Sequence, residues 1–171
     1  VLTDTSITGD LQVTTGVGGV AGGVSQTAGS ALNIGGSTTF IADTKVGQVA
    51  NLNNKLNRFV GTLSFNTANQ GSWAELLLTA DSALEMGSTT IDGAATVTIT
   101  QGDITQVGPM QVKGITTVKN SSGDILLNDP KNTFGDLVNV TGAGALELTS
   151  AGPYKIDKID IKDDATLISK G

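Results

Sequence analysis

The sequence predicts an all-β protein, a parallel β-helix whose turns stack into one solenoid. Three observations predict it. Eight short motifs place an aliphatic residue after a pair of small or polar residues: Gly9-Asp10-Leu11, Ser30-Ala31-Leu32, Ala50-Asn51-Leu52, Ser82-Ala83-Leu84, Gly102-Asp103-Ile104, Gly123-Asp124-Ile125, Gly144-Ala145-Leu146 and Ala165-Thr166-Leu167. The steps between these anchors are 21, 20, 32, 20, 21, 21 and 21 residues, and a fixed period of about 20 residues marks a solenoid whose repeats share one core. Short alternating runs dominate the rest, separated by clusters of Gly, Asn, Asp and Ser that form turns. Aromatic residues make up only 4% of the chain. A closed sandwich would use more aromatic mass in its core, whereas narrow stacked turns need small and branched aliphatic side chains.

Element by element, Leu11-Gln12-Val13, Thr62-Leu63-Ser64-Phe65, Thr96-Val97-Thr98-Ile99 and Leu137-Val138-Asn139-Val140 read as half-buried strands. A period of about 20 residues has room for three strands of four or five residues and three turns, the content of one triangular coil. Roughly eight rungs of about 20–21 residues would make a rod on the order of 40 Å long at ~4.8 Å per rung. Two longer alignments support the repeat. The stretch from Gly29 to Phe40 resembles that from Asp81 to Ile91. Leu52-Asn53-Asn54, Asn57 and Phe59 match Leu127-Asn128-Asp129, Asn132 and Phe134 at a constant offset of 75. The second alignment moves the third anchor toward Gly47-Gln48-Val49, and the sequence leaves that register open.

The step of 32 is the exception. It implies one rung plus about a dozen extra residues, which the polar segment 66–75 would extrude as a loop from a single β-helix segment spanning 1–171. Ser72-Trp73-Ala74-Glu75 also fits a helix capping box leading into Ala74 to Met86. Strands are preferred there because Ser82 to Ile91 repeats the Ser30 to Phe40 pattern, with Gly in its middle. Trp73 is expected at the base of the loop, packed on an outer face because a rung interior is too narrow for it. With Asn69 and Gln70 it forms the candidate ligand site, since an aromatic face beside amides suits a sugar.

Composition removes several function classes. The net charge is -6, from 10 basic and 16 acidic residues, which argues against a nucleic-acid partner. There is no Cys and no His, so thiolate chemistry and the commonest general base and metal ligand are missing. No apolar run approaches the ~20 residues of a membrane span, so no membrane insertion is expected. Repeats that reach both ends of a chain starting at Val1 suggest an interior fragment of a longer protein.

The stretch from Gly123-Asp124-Ile125 through Asn128, Asn132, Phe134 and Gly135 to Thr141-Gly142 resembles the repeats of filamentous-haemagglutinin-like exoproteins, and Asn53, Asn54, Asn57, Phe59 and Gly61 form a weaker copy. Repeats of this kind are also similar to autotransporter passengers, or to substrates of two-partner secretion. The resemblance implies a right-handed parallel β-helix, secretion to the bacterial cell surface, and a role in adhesion or biofilm attachment. A host or cell-surface receptor or glycan would be the partner, alongside neighbouring β-helix segments of the same chain.

The other candidate sites have plain structural readings. The Gly-Asp pairs at 9, 102, 123 and 135 lack the nine-residue calcium-roll repeat and suit turn acceptors before strands. Asp157, Asp160 and Asp163 lie in a run of mixed charge that reads as a solvated strand. The Thr38-Thr39, Thr89-Thr90 and Thr116-Thr117 pairs are spaced too irregularly for an ice-binding face. A polysaccharide lyase or hydrolase would need a carboxylate pair or an Arg or Lys base in a cleft, and Arg58, the single Arg, has no such partner in sequence. The sequence therefore points to an adhesive or structural rod that is not an enzyme and carries no cofactor, with a glycan-binding module as the alternative.

Overall fold

The computed structural model describes residues 1–20 and 22–170. The first turn is β1 (Thr5–Ile7), β2 (Leu11–Thr15) and β3 (Gly23–Ser25), and the second is β4 (Leu32–Ile34), β5 (Thr38–Ala42) and β6 (Gln48–Asn53). Next come β7 (Arg58–Phe59), β8 (Leu63–Thr67) and β9 (Trp73–Ala80), then β10 (Leu84–Ile91) and β11 (Ala94–Ile99). The later turns hold β12 (Ile104–Gln106), β13 (Met110–Val112) and β14 (Thr116–Asn120), then β15 (Ile125–Leu127), β16 (Thr133–Phe134) and β17 (Leu137–Gly142). The last strands are β18 (Leu146–Ser150), β19 (Lys155–Ile161) and β20 (Ala165–Ser169). Every strand pairing is parallel. The parallel β-solenoid expected from the sequence is the fold observed.

Three faces run up the stack. One is the seven-stranded sheet β3-β6-β9-β11-β14-β17-β19, which sets the number of turns at about seven rather than eight. The second begins as the three-stranded sheet β1-β4-β7, and above it the corner before β10 is tied to the corner before β7 by the bond from the Asp81 N–H to the Asn57 C=O, 3.0 Å. It continues as β12-β15-β18-β20. The third is β2-β5-β8, then the end of β10, then β13-β16. β10 thus lines two faces, and its register slips between Met86 and Thr89 where they join.

The turns are not of one length. Leu11 pairs with Thr38 and Thr38 with Leu63, steps of 27 and 25 residues. Leu84, Ile104, Ile125 and Leu146 pair in succession at 20, 21 and 21. The period of 20–21 residues therefore describes the C-terminal half, and longer turns enclose a wider interior in the N-terminal half. The aromatic residues follow that width. Phe40 stacks on Phe65 with ring centroids 5.3 Å apart, and Phe65 meets Trp73 edge-on at 6.0 Å, all three fully buried.

This corrects the expectation for 66–75. No loop of a dozen residues is extruded: Asn66 and Thr67 end β8, and Trp73 to Glu75 begin β9. The step of 32 arises because Leu52 and Leu84 sit on different faces, Leu52 pairing with Leu78 and Leu84 with Ile104. Neither is the segment after Trp73 a helix; β9 and β10 are strands, as the repeat pattern required. Deleting 66–75 would remove the indole from the core and cut two ladders. The deletion is expected to abolish the cooperative β-sheet circular dichroism transition of the N-terminal turns, where a true loop would have left it intact.

Six of the eight anchors, Leu32, Leu52, Leu84, Ile104, Ile125 and Leu146, are fully buried. Leu11 is half-buried in the first turn, and Leu167, 39% exposed, pairs with Leu148 rather than Leu146. In β6 the inward residues are Gln48, Ala50 and Leu52, while Val49 faces out, so the register shifted to Gly47-Gln48-Val49 is not the one adopted. The apolar interior is one continuous cluster from Val24 to Leu148.

Two core positions hold hydroxyls without partners. Thr116, wholly buried, sits between Ala95 and Val138 in register, and the Oγ1 atoms of Thr116 and Thr38 make no hydrogen bond. Valine has the same shape without the stranded polar atom, so Thr116→Val is expected to stabilise the fold by about 1 kcal/mol, read as a higher denaturation midpoint at unchanged slope.

Candidate functional site

The expected trio does not form a sugar platform. Trp73 is 0% exposed, and its Nε1 donates to the Asn66 carbonyl at 2.8 Å. Its ring is core, and the width of the N-terminal turns makes room for it. Asn69 and Gln70 lie on the exposed turn between β8 and β9, both with left-handed backbones, φ 44 and 68. Asn69 Nδ2 donates to Asp43 Oδ1 at 2.6 Å. The amides are at the surface, but the aromatic face that would stack on a ring is inside.

The repeated Asn residues have a structural task. Asn57 follows β6 at a corner and is fully buried. Its Nδ2 donates to the carbonyls of Leu52 (2.9 Å) and Thr79 (3.1 Å), and its Oδ1 accepts from the Leu32 N–H (3.0 Å) and from Gln26 Nε2 (2.6 Å). Asn132 follows β15 and repeats the pattern. Its Nδ2 donates to the Leu127 carbonyl at 3.0 Å, and its Oδ1 accepts from the Met110 N–H at 2.7 Å and from Gln106 Nε2 at 2.5 Å. In each copy a buried amide closes a corner to the turn beneath it, satisfying backbone groups that would otherwise be stranded. Phe59 and Phe134, two residues on, both point into the core.

Three of the four Gly-Asp pairs, those at 9, 102 and 123, are turn acceptors that work between turns. Asp10 Oδ1 accepts the Ser37 N–H at 2.7 Å, Asp103 accepts the Asp124 N–H at 2.9 Å, and Asp124 accepts the Ala145 N–H at 2.8 Å. Each carboxylate reaches the next turn beneath a glycine: a Cβ on Gly36 or Gly144 would collide with the Asp10 or Asp124 oxygen. That explains why small residues precede the anchors. Among the described residues no group of three or more acidic side chains is placed to hold a metal ion. Asp157, Asp160 and Asp163 lie along an exposed strand and the turn after it, and Asp160 is engaged by Lys158 at 3.4 Å. Tyr154 packs edge-on against Phe134 at 6.2 Å, and its partial burial raises the phenol pKa above its usual range, so it stays neutral.

Two surface hollows lie at one corner, where the seven-stranded sheet turns into the next face. One, of about 360 Å³, is lined by Arg58, Asp81, Ser82 and Gln101. The other, of about 310 Å³, is lined by Lys119, Ser121, Thr141 and Lys162 over a floor of Gly142 and Ala143. They meet where Asn120 Nδ2 donates to the Gly102 carbonyl at 3.0 Å. Backbone bonds climb this corner from turn to turn, from the Asp81, Thr100, Ser121 and Ala143 N–H groups to the carbonyls of Asn57, Ala80, Ile99 and Asn120. Of the residues of these hollows, Arg58 and Asp160 were weighed from the sequence as site candidates, while Ser82, Ala83 and Gly102 were read only as small residues before an anchor. The signal for them was the small-residue pair before each anchor.

A family model described as repeats of unknown function (DUF5649) matches the chain twice, over residues 1–66 and 74–141. Comparison with the curated proteins and with the solved structures found no match. The two family copies fit the offset of 75 between the Asn57 and Asn132 brackets. Counting β10 twice, ten strand segments separate Leu52 in β6 from Leu127 in β15. With three faces per turn, that is three turns and one face. The second copy is therefore carried round by one face, and its bracket closes a different corner from the first.

Proposed function

From the premise that the chain belongs to this family of repeats of unknown function, we propose that it is a structural and adhesive segment of a secreted bacterial surface protein, a stiff stalk for attachment. One observation carries the reading: a single apolar interior and a seven-stranded face continue from turn to turn. A stack of this kind resists bending because successive turns share one core and are tied by parallel ladders. Its buried Asn57 and Asn132 amides are spent on tying corners, which is architectural work. The likeness of Gly123 to Gly142 to filamentous-haemagglutinin-like repeats supports secretion and adhesion as the setting.

Attachment without turnover is the test. Beads coated with the chain are expected to hold to epithelial cells more firmly than albumin-coated beads, while acidic and neutral polysaccharides keep their length in its presence, with or without calcium. Beads that hold no better than the albumin control would remove the adhesive role. Depolymerisation abolished by Arg58→Ala would replace the whole reading with an enzyme.

A further inference from the structure

The stalk reading assigns no ligand to any surface, yet the corner described above is built as a furrow. We propose that it holds a linear, uronic-acid-containing polysaccharide lying parallel to the rod axis. The furrow exists because the side chains at this corner are small in consecutive turns, Ala83, Gly102, Ser121 and Ala143. Its lining comes from six successive turns, from Arg58 in β7 to Lys162 after β19.

Its polar groups are arranged for a hydroxylated, carboxylated chain. Among the described residues, Arg58, Lys119 and Lys162 have no carboxylate within ion-pairing distance. Of the two acids that also line the furrow, Asp160 is taken up by Lys158, and Asp81 lies at the Arg58 end. On a chain of net charge -6, this corner is a local excess of cation. Along the wall, Thr98, Lys119, Thr141 and Asp160 follow one another in register, one polar side chain every ~4.8 Å. A pyranose unit in an extended β-linked chain advances by a similar distance, so each sugar would meet one rung. The inference is one of binding.

The experiment titrates the whole chain with polymannuronate, and with the same polymer after its carboxyls are reduced to alcohols, by isothermal calorimetry. Two variants accompany it. Arg58→Gln with Lys119→Gln and Lys162→Gln removes the cations, and Ser121→Trp fills the furrow from an exposed position that does not enter the core. Circular dichroism establishes that both keep the wild-type fold. Wild type is expected to bind polymannuronate, the cation variant about tenfold or more weakly, and the Ser121→Trp variant not at all. The reduced polymer is expected to bind as weakly as the cation variant binds the acid. Absence of binding to wild type, or binding untouched by Ser121→Trp, would overturn the furrow while leaving the stalk reading standing. Equal binding of the acidic and reduced polymers would overturn its preference for uronates.

Discussion

Replacing Ile125 with Asp is expected to unfold the C-terminal turns, while Asp124→Ala, one residue away, leaves them folded. Ile125 is fully buried and stacks in register between Ile104 below and Leu146 above. A carboxylate there would enter an interior with no cation and no donor to meet it, and such substitutions cost about 4–5 kcal/mol or more. Stability in a solenoid is a sum over turns and their interfaces, so the loss falls on the turns that share this column. Asp124→Ala removes one hydrogen bond, from the Ala145 N–H, at a corner open to water. It is expected to cost about 1 kcal/mol. Urea unfolding followed by circular dichroism separates the two. Equal effects would mean that the anchors do not form the core.

The same column shows how much could be read from the sequence. Where turns are 20 or 21 residues long, each anchor falls on the same face as the last, and Leu84, Ile104, Ile125 and Leu146 were identifiable by spacing alone. In the N-terminal half the spacing is similar but its meaning differs. Leu11, Leu32 and Leu52 lie on three different faces, in β2, β4 and β6, because a step of about 20 in a longer turn falls short of a full circuit. Turn length depends on which residues occupy the corners and how wide the core must be, and no local propensity reports it. Trp73 shows the consequence. Its size argued for the outside of a narrow turn; the wide turn around Phe40 and Phe65 takes it inside. The Gly-Asp pairs at 9, 102 and 123, by contrast, were legible as turn acceptors, because a short acidic side chain after Gly has few other uses before a strand. That each carboxylate serves the turn above its own is a property of the stack, and became visible only there. The furrow was hidden for the same reason: its residues are brought to one corner by turns of unequal length.

Asn57→Ala is expected to be nearly as damaging as the buried carboxylate, by a different route. The substitution leaves the Leu32 N–H and the Leu52 carbonyl without their side-chain partner, and frees the Gln26 amide in the same buried corner. Buried groups stranded in this way cost about 1–3 kcal/mol each, so a loss of about 3 kcal/mol is expected. Asn132→Ala is expected to match it, because its bracket repeats the same bonds in the second copy of the family repeat. Asn69→Ala, on an exposed turn, is expected to change stability by less than about 0.5 kcal/mol. An Asn57→Ala protein as stable as Asn69→Ala would show that the corner is not held by its amide.

The central claim is one unbroken, rigid stack, and a single distance tests it most directly. Asn51, Leu77, Thr96, Thr117, Asn139 and Lys158 follow one another in register along the outer row of the seven-stranded sheet. Asn51 and Lys158 are both exposed. Spin labels on cysteines at these two positions stand five strand spacings apart, about 24 Å at ~4.8 Å each. Double electron–electron resonance is expected to give one narrow distribution centred near that separation, allowing for the label arms. A broad distribution, or a second population at much longer distance, would contradict the account, because the turns between the labels would then not form a single stiff ladder.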